Sequence, residues 1–171
     1  MDALRDVALT TFLGLAVFWD LAERRIPNLL VLAATLTALV LAWSIGGPVG
    51  ALWSLAGLGC GLGVLLVPFA SGLVGGGDAK FLAAVGAFLG PSLTLRAFLF
   101  GTALGAPLAL AAMWRAGQPL LPLLPVVAGG PRPVELTAAP DGRKIMVPYA
   151  VPLALGALAA LALERAGALP F

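Results

Sequence analysis

Residues Ile26–Gly77 decide the fold, and they read IPNLLVLAATLTALVLAWSIGGPVGALWSLAGLGCGLGVLLVPFASGLVGGG without one Asp, Glu, Lys or Arg. A soluble domain of this size has too much surface to leave so long a run uncharged. Composition agrees, because 61% of the 171 residues are apolar and 11% are charged, against about a quarter charged in soluble domains. The mean hydropathy is +1.05. The sequence therefore predicts a chain that is embedded in a lipid bilayer.

The spans can be read outward from this run, because a membrane-spanning helix needs about 20 mainly apolar residues. The turn signal Ser44–Pro48 divides the run into two segments. The fourth segment is short, so it either starts below the membrane surface or forms one arm of a re-entrant hairpin closed at Gly90-Pro91. The prediction is an all-α, polytopic membrane helix bundle of about six membrane segments in one domain, 1–171. The six segments are 3–20, 28–44, 50–72, 80–90, 92–114 and 145–163.

Residues 115–144 form the one sizeable loop, which is rich in Pro, Gly and Leu. It is too broken for a helix and too apolar to float freely in water, so we expect it to lie on the inner leaflet as an interfacial segment. The N-terminus is not a removable signal by sequence, because its start carries mixed rather than basic charge and no small-residue cleavage site follows.

The basic residues set the orientation, since inner loops carry an excess of Lys and Arg. With the N-terminus outside, seven of the ten basic residues lie on the inner side. We expect a multi-pass protein of the inner (cytoplasmic) membrane. A pI near 9.2 would suggest nucleic acid for a soluble protein, but here the expected partner is the lipid bilayer and no nucleic acid. The inner seven are Arg24, Arg25, Lys80, Arg115, Arg132, Arg143 and Lys144, and the outer three are Arg5, Arg96 and Arg165.

Several kinds of chemistry are excluded by residue type. The chain has no histidine, which removes Ser-His and Cys-His catalysis and most zinc sites. Its one cysteine, Cys60, lies in mid-span, so neither a disulfide framework nor a Cys-x-x-Cys site exists. We therefore expect no metal and no cofactor.

Two acidic residues remain as candidates for chemistry, because charge inside such a chain is costly and needs a reason. Asp20 ends the first span, and Asp78 follows directly after the third. Two spans separate them, so both carboxyl groups are predicted at similar depth on the inner side. Two facing carboxyls share one proton, which leaves one as general base for a water and the other as acid toward a scissile carbonyl. The glycines at 75–77 would let an extended peptide approach the backbone closely.

The motifs around these acids resemble those of the type IV prepilin peptidase family. Asp-x5-Ile-Pro-Asn at 20–28 and Gly-x-Gly-Asp-x-Lys at 75–80 carry the resemblance. The stretch 147–152 resembles the family's Pro-Tyr-x-Pro-like element, with one residue inserted before the second proline. The resemblance spans about 10–165. It looks like the short, peptidase-only form without the cytoplasmic methyltransferase region, a form typically tied to tight-adherence (Flp) pili.

The resemblance implies an intramembrane aspartic endopeptidase that removes the leader peptide of Flp-like type IV prepilins at the cytoplasmic face. The implied partner is a prepilin with a hydrophobic N-terminal segment. By the same likeness, Asp20 and Asp78 are the catalytic pair. The residues expected to contact the substrate are Gly75, Gly76, Gly77, Lys80, Pro148 and Tyr149.

Other interpretations compete with this one. A small transporter or channel subunit would use Asp20 and Asp78 as cation or proton ligands, but nearer mid-membrane and with internal repeats, which are not visible. A protease of the presenilin or signal-peptide-peptidase kind would pair Tyr-Asp with the Gly-x-Gly-Asp motif, whereas this chain has Trp19-Asp20. Asp20 could instead pair with Arg24 at i+4, and Lys80 could be a membrane-surface anchor.

Overall fold

The computed structural model describes residues 2–23, 25–70, 75–115 and 150–168. Regular structure in these ranges is helical throughout. Most of the predicted 115–144 loop and the first residues of the predicted 145–163 segment lie outside the described residues. The four helices are α1 (Asp2–Glu23), α2 (Asn28–Ala70), α3 (Gly76–Arg115) and α4 (Ala150–Arg165).

The helix α2 folds back on itself at a single glycine. Gly47 has φ 59° and ψ −145°, a positive-φ conformation that glycine adopts without the steric cost of a Cβ. A Cβ placed on Gly50 would collide with the carbonyl oxygen of Ala42. Residues eight apart lie about 12 Å apart along a straight helix. This contact therefore means that the two arms of α2, 28–46 and 48–70, run side by side.

The helix α3 reverses in the same way at Gly90, where φ is 75° and ψ is 173°. Pro91 has no N–H to donate to the carbonyl of Ala87 four residues earlier. The Ser54 hydroxyl supplies that missing donor from α2, at 2.7 Å. Thr94 donates to the Gly90 carbonyl at 2.6 Å, and Cys60 Sγ lies 3.6 Å from the carbonyl oxygen of Pro91. The reversal is thus closed by side chains that satisfy the carbonyls it exposes.

The first arm of α3, 76–89, lies at the centre of the molecule, and every residue from 81 to 90 is buried. The second arm of α2 runs antiparallel to it in backbone contact, since a Cβ on Gly57 would meet the Gly86 carbonyl and one on Gly61 would meet that of Leu82. Small residues permit such close helix crossings in membranes.

The remaining helices pack on the other sides of α3. The ring of Phe12 on α1 stacks near Phe81 and Phe88, with centroids 5.5 and 6.4 Å apart. The second arm of α3 crosses α4 where a Cβ on Gly156 would meet the backbone of Gly101. At the end of the bundle opposite to Asp20, Arg165 of α4 bonds Asp6 of α1 at 2.7 Å.

The outer surface is apolar. Two stretches, Asn28–Leu66 and Gly76–Pro107, are long and apolar enough to cross a membrane. Side chains such as Leu29, Val40 and Leu52 are more than half exposed, which suits lipid and not water. The all-α membrane fold is confirmed, but the described residues form four helices rather than six separate segments. The difference arises because one positive-φ glycine is enough to turn the chain, so helix continues on both sides of each predicted break.

Candidate active site

Asp20 lies on the buried face of α1, one turn from the end of the helix. Leu9, Leu13 and Ala16 precede it at helical spacing and are almost completely buried. Side chains at i, i+4 and i+7 share one face of a helix, so Asp20 continues the stripe that packs against the bundle. Its side chain is 9% exposed. The apolar stripe therefore aims this carboxyl inward.

Asp78 lies in the first turn of α3. Its backbone amide donates to the Gly75 carbonyl at 3.1 Å, and the amide of Ala79 donates to the same oxygen at 3.5 Å. These bonds close a tight turn at the start of the helix, where the unpaired amides of a helix N-terminus favour negative charge. Three to four residues later, the side chains of Phe81 and Leu82 are completely buried.

The structure brings the two carboxyl groups together. Asp20 and Asp78 interact as like charges across the gap between α1 and α3. Because two predicted spans separate the acids, the sequence predicted that both lie at the same end of the bundle. The reversal of α2 at Gly47 returns the chain to that end. Two carboxyls that repel each other in this way ionise together only at a cost in free energy. This arrangement can perform general acid and general base catalysis on one water.

The three glycines before Asp78 differ in the space around them, since a Cβ on Gly76 would lie 3.3 Å from the Phe69 ring. A Cβ on Gly77 would meet no atom within 4 Å, and one on Gly75 would lie 3.5 Å from Asp78 Oδ2. Positive φ occurs at Gly47, Gly90 and Gly167 in the described part of the chain. The glycines at 75–77 therefore do not serve an unusual backbone angle, and the position of Gly77 beside Asp78 is open.

Lys80 makes a contact that was not predicted from the sequence. Its ammonium donates to Asn28 Oδ1 at 3.1 Å, which joins the start of α3 to the start of α2. The only sequence signal for Asn28 was its place in the Ile-Pro-Asn motif, which reads as a turn. Arg24, Pro148 and Tyr149 lie outside the described residues, so their predicted roles stay predictions.

The donor set of the site follows from these positions. The two carboxyls and the Asn28 amide are oxygen donors, and the single cysteine lies at the other end of the α3 arm, against Pro91. The described side chains at this end thus suit acid–base chemistry.

Comparisons with known proteins place the chain in a family. Neither the curated proteins nor the solved structures give a significant match. Residues 7–110 match the model of the type IV leader peptidase family, which is more than half of the chain and includes Asp20 and Asp78. The chain therefore belongs to the type IV leader peptidase family, and its activity is that of a membrane peptidase acting on prepilin-type leader sequences.

Proposed function

We propose that this protein is an intramembrane aspartic endopeptidase that cleaves Flp-like type IV prepilins at the cytoplasmic face, with Asp20 and Asp78 as its catalytic dyad. The observation that carries the proposal is the convergence of these two acids from separate helices, one of them at the end of a buried apolar stripe. A buried acid is costly in an apolar bundle, and a catalytic role accounts for that cost.

The dyad would act on one water held between its carboxyls. One carboxylate takes a proton from the water, whose oxygen attacks the scissile carbonyl carbon, while the other carboxyl protonates the carbonyl oxygen. The tetrahedral diol then collapses. A proton passes to the leaving nitrogen, the C–N bond breaks, and the products are a new carboxyl group and a new amino terminus. The pair ends with the single proton that it held at the start.

The substrate would enter beside the glycines. The open space next to Gly77 admits an extended backbone close to Asp78, and water can reach the dyad by the same route. We place Pro148 and Tyr149 on the substrate's path as well, on the resemblance of 147–152 to the family's Pro-Tyr element. The bound segment is the junction between a prepilin leader and its hydrophobic N-terminal helix.

The setting would be the inner membrane, with the N-terminus outside. Four helices and two reversals give six arms that alternate in direction, and each arm would form one membrane segment. Asp6 and Arg165 mark the outer end, and Asp20, Asn28 and Lys80 mark the inner end. A Glu23→Cys variant should react with an impermeant thiol reagent in inverted vesicles and not in intact cells. The opposite pattern would move the site to the outer face.

The direct test is co-expression with a Flp-type prepilin, with leader removal followed by mass. The wild type should remove the leader, whereas Asp20→Ala and Asp78→Ala should not. Asp6→Ala is the matched control, because it removes an acid from the same helix at its other end. Leader removal by either dyad variant at the wild-type rate would overturn the aspartic mechanism.

A further inference from the structure

One side-chain hydrogen bond joins the two chain segments that carry the acids. It runs from Lys80 Nζ to Asn28 Oδ1 at 3.1 Å. Asn28 is the first residue of α2 and follows Asp20 by eight positions, while Lys80 lies within one helical turn of Asp78. The bond therefore ties the start of α2 to the start of α3, close in sequence to both acids.

The two acids lie on different helices, α1 and α3, so their separation depends on how these helix ends are held. Along the chain they are connected only through the whole of α2, Asn28–Ala70, and the residues on either side of it. A hydrogen bond from an ammonium to an amide oxygen is about twice as strong as one between neutral groups. Asn28 also accepts without a charge of its own, so the bond does not neutralise the ammonium of Lys80.

The Asn28 end of the bond is fixed by the backbone at the start of α2. Pro27 has a fixed φ, and its carbonyl accepts hydrogen bonds from the amides of Leu30 and Val31 at 3.1 and 3.3 Å. These bonds fix the first turn of α2. On the other side, Lys80 and Asp78 share the first turns of α3. Each acid therefore lies a short stretch of chain away from one end of the bond.

We infer that Asn28 and Lys80 form a clamp that holds Asp20 and Asp78 at their working separation, which makes both positioning residues. The inference rests on the proposed aspartic mechanism. The expectation that Lys80 contacts the substrate stays a prediction, since an ammonium has two further donors beside the one that bonds Asn28.

The test measures initial rates on a purified Flp-type prepilin in proteoliposomes for Asn28→Ala, Lys80→Ala, the double variant and Lys80→Arg. Each single alanine should lower kcat by about 10- to 100-fold, since misplacement by about 1 Å costs about 100-fold, with KM unchanged. The double variant should be no slower than the slower single one. Lys80→Arg keeps a donor and should restore most of the rate. Two variants are matched controls. Arg25→Ala removes a cation from the segment just before Asn28, and Thr37→Ala removes a polar group from α2.

Four results would overturn the clamp, and the first three come from comparing the variants with one another. A raised KM with unchanged kcat in Lys80→Ala would mean that Lys80 contacts the substrate. Additive losses of kcat in the double variant would mean that the two residues act separately. An equal loss of kcat in Arg25→Ala would mean that the effect comes from surface charge alone. Asp20→Asn and Asp78→Asn are assayed in parallel. If they are inactive while the clamp variants keep the wild-type kcat, the clamp alone fails; if they are active, the proposed mechanism fails.

Discussion

α2 and α3 are both long, apolar and folded back at a glycine, yet they lie in opposite surroundings. In the most apolar window of each, 11% of the residues are buried in α2 and 67% in α3. The more apolar helix is the exposed one. In a bilayer there is no hydrophobic gain from hiding leucine, because lipid is as apolar as the protein interior. The interior instead combines Gly and Ala at the close helix contacts with buried Phe and Leu side chains, and Asp20 lies at its end.

This contrast predicts where substitutions matter. Changes that disturb the first arm of α3 or its direct contacts should be costly, and equivalent changes on the lipid-facing side of α2 should not. Each comparison below pairs a residue at the centre with a chemically identical one at the surface.

The largest expected effect is on activity at the dyad. Asp20→Asn and Asp78→Asn should each lower kcat by at least about 100-fold, because an amide is neither a base nor an exchangeable acid and this catalysis contributes about 100- to 10,000-fold. Stability should stay level or rise slightly, since a charge leaves an apolar site. The checks are prepilin cleavage and thermal unfolding in detergent, with Asp6→Asn as control.

The same mechanism fixes the pH dependence of the wild type. Only the singly protonated pair works, so cleavage should fall both at low pH, where both acids are protonated, and at high pH, where both are ionised. The check is the rate of prepilin cleavage across pH. A profile with a single limb would contradict a shared proton.

The next effect is on stability at the contact between α2 and α3. Gly57→Leu should lower the free energy of unfolding by about 3 kcal/mol, the upper end for overpacking, because its Cβ would meet the Gly86 backbone. Gly59→Leu should change it by less than about 0.5 kcal/mol, since a Cβ there meets nothing within 4 Å. Unfolding in SDS titrations measures both. Equal losses would mean that α2 is not packed on α3 through this face.

The sequence predicted the lipid solvent, the turn near Ser44–Pro48, the break at Gly90-Pro91 and the shared end of Asp20 and Asp78. Each depends on a signal that the sequence carries directly: the absence of charged residues, Gly and Pro residues at turns, or the even number of spans between the two acids. Which face of α2 is exposed could not be predicted, because a helix that is apolar on all sides shows no helical periodicity of polar and apolar residues. The contact between Lys80 and Asn28 was also missed, since it depends on how two distant helix starts meet.

A smaller effect is expected at the two reversals. Both glycines combine positive φ with an extended ψ, a conformation that costs other residues about 2 kcal/mol, so both Gly47→Ala and Gly90→Ala should be destabilised. Gly90→Ala should lose more, because its Cβ would lie 2.6 Å from Trp53 Nε1, whereas the space around Gly47 is open. Adding Trp53→Leu should bring the two losses together. A larger loss for Gly47→Ala would contradict the tighter packing of the α3 reversal.

The smallest effect concerns one hydroxyl at the α3 reversal. Ser54→Ala should lower the free energy of unfolding by about 1 kcal/mol, because it removes the donor that serves the Ala87 carbonyl in place of the missing Pro91 amide. Ser44→Ala is the matched control. Its hydroxyl is exposed and bonds the Val40 carbonyl of its own helix, an oxygen within reach of the backbone amide at i+4, so its loss should be near zero. Hydrogen bonds between membrane helices average about 0.6 kcal/mol, and a difference of that size is measurable in paired SDS titrations. Ser54→Thr keeps the donor and should recover part of the loss. If Ser54→Ala and Ser44→Ala were equally stable, the Ala87 carbonyl would have another donor, and the reversal would be held by Gly90 and its neighbours without α2.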